Sequence, residues 1–336
     1  MAKIGVVGAG SWGTALAILL HNNGHEVTTW SRKEEDVKLF TEKRENPSKL
    51  PGVKIPEKIA FTSILEQAVC GMDVIVSAVP SVGVRSTASR MAAMVENGQI
   101  IVNVAKGVEE STLMTMSEVI QQEIPQANVC VLSGPSHAEE VSRGLPTTCV
   151  ISSKCRKTAE YLQNIFMSPA FRVYTTPDIL GVELGAALKN VIALAAGAAD
   201  GLGYGDNTKA ALITRGIGEI ARLGTAMGAR IESFYGLSGM GDLIVTCASQ
   251  HSRNRRAGYL IGQGYSMDQA MKEVKMVVEG VYSAKAALRL SEKYQVEMPI
   301  VQEICKVLFE DKPAKEAVYD LMVRDKKIEN PLLPWE

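Results

Sequence analysis

Gly8-Ala9-Gly10-Ser11-Trp12-Gly13 places three glycines at G-x-G-x-x-G spacing, directly after the β-branched run Ile4-Gly5-Val6-Val7 and at the opening of a helical run that continues to Leu20. At such a junction the first glycine, Gly8, permits a tight turn, Gly10 lets the backbone approach a pyrophosphate, and Gly13 lets helix and strand pack closely. The helix N-terminus adds free N–H groups and a partial positive charge. Dinucleotide binding is the chemistry this arrangement serves, with a purely structural glycine turn as the plainer alternative. Where an acidic residue would hold the ribose 2′-hydroxyl of NAD, the chain reads Trp30-Ser31-Arg32-Lys33. With no carboxylate there to repel a 2′-phosphate, and Arg32 and Lys33 to bind one, NADP is expected to be accepted alongside NAD. An exposed basic pair is the alternative.

Lys106 follows the apolar strand Gln99-Ile100-Ile101-Val102-Asn103-Val104, at the strand end where open α/β sheets bind ligands, although a surface lysine is the ordinary default. Ser133-Gly134-Pro135-Ser136-His137-Ala138-Glu139-Glu140 repeats the design after another strand, with small residues, a turn and a helix start. Read without function, the same stretch is an N-capped helix with Ser136 and Glu139 as a capping box. Lys189 is a charge inside the apolar run Leu184-Gly185-Ala186-Ala187-Leu188-Lys189-Asn190-Val191-Ile192. Burial would lower its pKa and make it a proton donor or acceptor near neutral pH; a stem snorkelling to the helix edge explains the spacing equally well. Gly239-Met240-Gly241-Asp242-Leu243 sets an acid among glycines, and His251-Ser252-Arg253-Asn254-Arg255-Arg256 gathers three arginines with hydroxyl and amide donors. That cluster suits a phosphate monoester. A nucleic-acid patch is disfavoured, because no aromatics interleave it and no basic stripe continues it.

These residues need elements to hold them. Strand-like runs at residues 4–7, 25–30, 73–80, 99–104 and 128–132 alternate with helical segments and are almost wholly apolar, as strands covered on both faces are. The fold class is therefore α/β: an N-terminal doubly wound Rossmann-type sheet followed by a mainly α-helical C-terminal domain, with the boundary placed between residues 178 and 179. Residues 181–199 and 207–227 carry helical spacing and many small side chains that allow close helix contact. Arg32-Lys33-Glu34-Glu35-Asp36 reads as a solvated helix start, and residues 276–281 as a strand-like run and a turn.

Lys plus Arg number 36 against 37 Asp plus Glu, so there is no overall positive field for a polyanion or an acidic membrane. Six cysteines form no C-x-x-C pair and there are only four histidines, so no metal is expected and the cysteines read as reduced core residues. The N-terminus lacks the long apolar region and cleavage site of a signal peptide, and apolar stretches such as 191–199 fall short of the ~20 residues a bilayer requires. A cytoplasmic protein with no nucleic-acid or membrane partner is expected.

Taken together, these motifs resemble those of the bacterial NAD(P)-dependent sn-glycerol-3-phosphate dehydrogenases across nearly the whole chain. Further stretches carry the resemblance, notably Leu188-Lys189-Asn190 and Gly201-Leu202-Gly203-Tyr204-Gly205-Asp206-Asn207-Thr208-Lys209. It implies reduction of dihydroxyacetone phosphate to sn-glycerol 3-phosphate, the backbone of glycerophospholipids, by a homodimer using NADP or NAD. Carried over by position, Lys189 is the catalytic acid and base, and Lys106 touches both substrate and cofactor. Gly134, Ser136, Asp242, Ser252, Arg253 and Asn254 bind substrate, with Asn190 and Thr246 weaker candidates. Ser11, Trp12, Arg32, Lys33, Ala138, Arg253, Val277 and Glu279 line the dinucleotide, the assignment of Val277 and Glu279 resting on resemblance alone. Another enzyme on a similar plan, such as a 3-hydroxyacid or 6-phosphogluconate type dehydrogenase, and a non-catalytic NADP sensor are the rival readings. The first would lack the Ser252-Arg253-Asn254 context, and the second has no use for Lys106, Lys189 and Asp242 together.

Overall fold

The computed structural model describes residues 1–329 and residue 334. The other residues of the expected second domain, 330–333 and 335–336, lie outside the described residues. The strands are β1 (Lys3–Val7), β2 (Glu26–Trp30), β3 (Glu45–Asn46), β4 (Leu50–Lys54), β5 (Ala60–Thr62), β6 (Val74–Ser77), β7 (Ile100–Asn103), β8 (Asn128–Ser133), β9 (Thr147–Ser152) and β10 (Phe171–Thr176). Eight of them form one sheet in the order β10-β9-β8-β7-β6-β1-β2-β5, while β3 and β4 make a separate antiparallel ribbon. Every pairing in the large sheet is parallel except β8 with β9.

The period-2 rule explains why the inner strands are apolar throughout. Val6, Val74, Val76 and Val102 pack on one face with Leu16 and Leu20 of α1 (Ser11–Asn22). Val7, Ile75 and Ile101 pack on the other with Met91 of α3 (Val84–Met91) and Ile120 of α4 (Met116–Glu123), which follow α2 (Glu34–Lys43) in the chain. Both faces leave water, each large side chain contributing about 1.5–3 kcal/mol. Sequence reading stopped at β8. The short α5 (Ala138–Val141) turns the chain back so that β9 runs antiparallel, and α6 (Arg156–Phe166) leads to β10, an edge strand in which Phe171 and Val173 are buried while Arg172 and Tyr174 are exposed. The doubly wound sheet expected from sequence is present, with β8–β9 its one antiparallel pairing.

The helices of the second half are α7 (Ile179–Gly201), α8 (Asp206–Ala226), α9 (Ile231–Phe234), α10 (Asp242–Ala248), α11 (Arg253–Gly262), α12 (Met267–Val274), α13 (Glu279–Lys293), α14 (Pro299–Phe309) and α15 (Ala314–Met322). Asp178 caps α7 by accepting from Gly181 N–H at 3.1 Å. Helix α7 is long and apolar enough by composition to cross a bilayer, contrary to the count of shorter runs, but 83% of that window is buried inside the protein. Its packing against α11 is backbone on backbone. A Cβ at Gly197 would lie 2.0 Å from the Arg255 carbonyl oxygen, and one at Gly258 would lie 2.0 Å from that of Leu194. Gly201 and Gly262 repeat the arrangement one turn on, at 2.2 Å from the Tyr259 and Ala198 oxygens. The strand-like reading of residues 276–281 is also corrected: these residues form no strand, and Glu279 begins α13. Of the six cysteines, Cys130, Cys149, Cys247 and Cys305 are buried, but Cys70 and Cys155 are exposed rather than core.

Candidate active site

The loops after β1, β6, β7 and β8 all leave the carboxyl edge of the sheet; α10 meets the loop after β7 through Asp242 and Lys106, and α13 the loop after β6 through Glu279 and Ser81. Gly8 has φ +122°, and a Cβ there would lie 2.7 Å from the Ala78 carbonyl oxygen; a Cβ at Gly13 would lie 1.9 Å from that of Gly8. Only glycine fits either position. Beyond Gly10 there is open space within 4 Å, and no side chain caps α1 at Gly10, so its first N–H groups are offered to a ligand. The residues therefore fit a dinucleotide pyrophosphate. Asn46, which sequence reading missed, braces this turn by donating to the Ala9 carbonyl at 3.1 Å and to Thr14 Oγ1 at 3.3 Å.

Trp12 Nε1 is buried without a hydrogen-bond partner among the described residues. Arg32 and Lys33 are exposed just past β2, and Lys33 precedes α2. Ala138 opens α5. Val277 is half-buried beside the start of α13, where Glu279 accepts hydrogen bonds from the N–H of Ser81, at 3.1 Å, and from its hydroxyl. Burial pushes the Glu279 carboxyl above its ordinary range, against the pull of the Ser81 bonds.

At the centre, Asp242 reaches Lys189 Nζ with Oδ1 at 2.7 Å and Lys106 Nζ with Oδ2 at 2.6 Å. Lys189 is 5% exposed and Asp242 2%, so Lys189 is buried rather than snorkelling. Lys106 also donates to the Gly134 carbonyl at 3.0 Å. Lys189 donates to Thr246 Oγ1 at 2.6 Å, and that hydroxyl donates in turn to the Asp242 main-chain oxygen, one helical turn back on α10. Burial pulls the Lys189 ammonium down to about 8; Asp242 opposes the shift and the Lys106 charge adds to it. Burial also raises the Asp242 carboxyl, but its two lysine partners outweigh that and hold it below its ordinary value.

Ser252 caps α11, its Oγ accepting from Arg255 N–H at 3.2 Å. Arg253 is half-buried at the first position of the helix and has no ion pair among the described residues. Asn254 is buried; its Nδ2 donates to Asn190 Oδ1 at 2.9 Å and its Oδ1 accepts from Gly280 N–H at 2.8 Å. The three-arginine cluster does not hold as a unit. Arg255 turns away to a paired contact with Asp200 at 2.7 Å, which also meets Lys209 at 2.9 Å, and Arg256 is exposed.

The capping box at Ser136 is absent as well: α5 begins after His137, and Ser136 Oγ donates to the Gly134 carbonyl at 3.0 Å. His137 was not singled out from sequence. Its Nε2 is buried with no partner among the described residues, and its ring lies 5.8 Å from that of His251 across the cleft. Burial, then the charges of Lys189 and Lys106, keep it below the usual histidine range.

The arrangement offers a buried amine, a carboxylate that fixes it and an arginine at a helix N-terminus, with a pyrophosphate cradle at the end of β1. Residues 3–159 match the family model for the N-terminus of NAD-dependent glycerol-3-phosphate dehydrogenase, and residues 178–319 the model for its C-terminus. The chain is 63% identical over 336 residues, the whole of both chains, to the glycerol-3-phosphate dehydrogenase [NAD(P)+] of Agathobacter rectalis. It is 60% identical over 331 residues to the enzyme of that name from Fusobacterium nucleatum, covering 98% of this chain and 99% of the relative. The crystal structure of glycerol-3-phosphate dehydrogenase from Coxiella burnetii superposes with a TM-score of 0.93 at 35% identity, covering 96% of this chain and 99% of that one.

Proposed function

The chain belongs to the NAD-dependent glycerol-3-phosphate dehydrogenase family, and we infer that the buried Lys189 is the group that moves the proton in its reaction. The protein catalyses the reversible, NAD(P)H-dependent reduction of dihydroxyacetone phosphate to sn-glycerol 3-phosphate, the backbone of glycerophospholipids. A bound nicotinamide supplies the hydride. The single observation that supports Lys189 is its contact with Asp242 at 2.7 Å, both side chains being buried. Titrating at about 8, the amine has both protonation states accessible near neutral pH. As an ammonium it gives its proton to the carbonyl oxygen in reduction; as a free amine it takes the hydroxyl proton in oxidation. Asp242 holds the amine in place and keeps its own charge to offset the cationic side chains. Lys106 adds positive charge for the developing alkoxide.

Ser252, Arg253 and Asn254 bind the substrate phosphate at the N-terminus of α11, where the helix dipole and a charge-assisted arginine bond act together. Asn190 and Thr246 hold Asn254 and Lys189 by direct hydrogen bonds, so their part is to position those side chains. Gly134 and Ser136 close the other side of the substrate. Ser11, Trp12, Ala138, Val277 and Glu279 line the dinucleotide with Gly8, Gly10 and Gly13, while Arg32 and Lys33 take the 2′-phosphate of NADP. We assign residues 1–178 to cofactor binding and 179–336 to substrate binding and catalysis, in a cytoplasmic homodimer whose size in solution sedimentation would report.

The test is oxidation of NADPH or NADH by purified protein with dihydroxyacetone phosphate, followed by absorbance, against unphosphorylated dihydroxyacetone. Oxidation that requires the phosphate supports both the reaction and the clamp. A rate indifferent to the phosphate removes the clamp.

A further inference from the structure

Helix α7 carries a second buried ionisable side chain, Glu183, 4% exposed and six residues before Lys189. Nothing in the reaction as derived uses it. Its Oε1 accepts from Asn103 Nδ2 at 3.1 Å and from Ser117 N–H at 2.9 Å, and its Oε2 accepts from the Ser117 hydroxyl. Asn103 ends β7, and Ser117 lies in the first turn of α4. The fifteen-residue span from one to the other therefore begins and ends on a single carboxylate, and Lys106 stands three residues after its start.

The link to Lys106 is short. Asn103 uses its own amide to fix the next turn, Nδ2 donating to the Ala105 carbonyl at 3.2 Å and Oδ1 accepting from Ala105 N–H at 3.1 Å. The far half of the span is closed on itself by Glu109 N–H to the Met114 carbonyl at 2.9 Å and by the bridge between Val108 and Thr115. Lys106 has no such local brace; its ammonium is held only at the tip, by Asp242 and the Gly134 carbonyl. Holding a long lysine stem in one geometry loses rotamer freedom, so the backbone beneath it must be fixed by something else.

We propose that Glu183 is a positioning residue for the reaction: from the helix that bears Lys189, its carboxylate grips both ends of segment 103–117 and so holds Lys106 against Asp242. The proposal rests on the roles of Lys106 and Lys189 inferred above. Burying a carboxylate is costly unless its acceptor capacity is filled, and three donors fill it here. Burial raises the Glu183 carboxyl above its ordinary value, the Ser117 bonds opposing. Of the titratable groups facing Lys189, Lys106 lowers its affinity for a proton, Asp242 and Cys247 raise it, and His137 stands beside the same charges. If Lys106 drifts away, Lys189 loses a repelling charge and keeps more of Asp242, so both effects raise its pKa.

The experiment compares the pH dependence of dihydroxyacetone phosphate reduction in the unmodified chain and in E183A. The expected result is an alkaline limb moved up by about half a pH unit or more, with kcat lowered about tenfold. In E183Q the amide oxygen still accepts from Asn103 and Ser117 N–H and its nitrogen donates to the Ser117 hydroxyl, so most of the change is rescued. In a Lys106→Ala background, E183A adds no further shift. Should E183A not fold, Asn103→Ala severs the grip nearest Lys106 and carries the same expectation. An unmoved limb in a variant that merely melts at lower temperature overturns the proposal, as does an equal shift without Lys106. No turnover by the unmodified chain overturns both this proposal and the reaction, and is distinct from turnover with an unmoved limb, which sinks the strut alone.

Discussion

Lys189 and Lys106 approach opposite oxygens of one carboxylate, Asp242, at 2.7 and 2.6 Å. Two ammonium groups held by a single buried anion leave a net positive charge in the site, which suits an anionic substrate and a reaction that develops negative charge on oxygen. The same sharing makes the proton affinity of Lys189 depend on where Lys106 stands.

Rates in the two directions should therefore respond oppositely to pH. Reduction needs the Lys189 ammonium and should fall as pH rises through about 8, while oxidation needs the free amine and should rise through the same value. Initial rates with each substrate pair from about pH 6 to about pH 10 check this. Parallel profiles would take Lys189 out of the proton transfer.

Lys189→Ala removes the proton donor and should lower kcat by about a hundred- to ten-thousand-fold. The dinucleotide cradle lies on the other half of the chain, so NADPH affinity by fluorescence titration should stay nearly unchanged. Near-normal turnover in this variant would refute the assignment.

Arg253→Ala should raise KM for dihydroxyacetone phosphate about ten- to a hundredfold, the value of one charge-assisted hydrogen bond. NADPH affinity by fluorescence titration should change far less. An unchanged KM would move the phosphate elsewhere.

Arg32→Ala should weaken NADPH about tenfold and leave NADH almost untouched, since only NADPH offers a 2′-phosphate to an exposed guanidinium. Dissociation constants for both dinucleotides decide it, and equal losses would show that Arg32 does not read the 2′-phosphate.

Gly258→Ala puts a methyl 2.0 Å from the Leu194 carbonyl oxygen and should destabilise the protein by roughly 3 kcal/mol. Gly83→Ala, where no atom lies within 4 Å, is the control and should melt close to the unmodified chain. Similar melting temperatures for the two would mean that α7 and α11 part easily.

The glycine turn and the sheet's inner strands were legible because they are local: Gly8, Gly10 and Gly13 sit within six residues, and strands buried on both faces are apolar at every position. Lys189 was legible as a charge in an apolar run, but only the fold decides between burial and snorkelling. Partners far along the chain decided the rest. Arg255 leaves the phosphate cluster because Asp200, 55 residues away, takes it. Ser136 loses its expected capping role to the turn at Gly134, and β10 escaped notice because an edge strand buries only alternate residues. Glu183 gave no signal, because its three donors come from residues 66 and 80 positions away.

The contact of α7 with α11 also limits how this enzyme can change. Spacing set by side chains can be retuned in both directions, by trimming one or enlarging another. Here carbonyl oxygens already lie where a methyl group would stand, so the helices cannot move closer, and every substitution at Gly197, Gly201, Gly258 or Gly262 pushes them apart. Lys189 rides on one of these helices and Arg253 on the other. The separation of these two side chains is thus set by backbone contact, and substitution at the four glycines can only lengthen it.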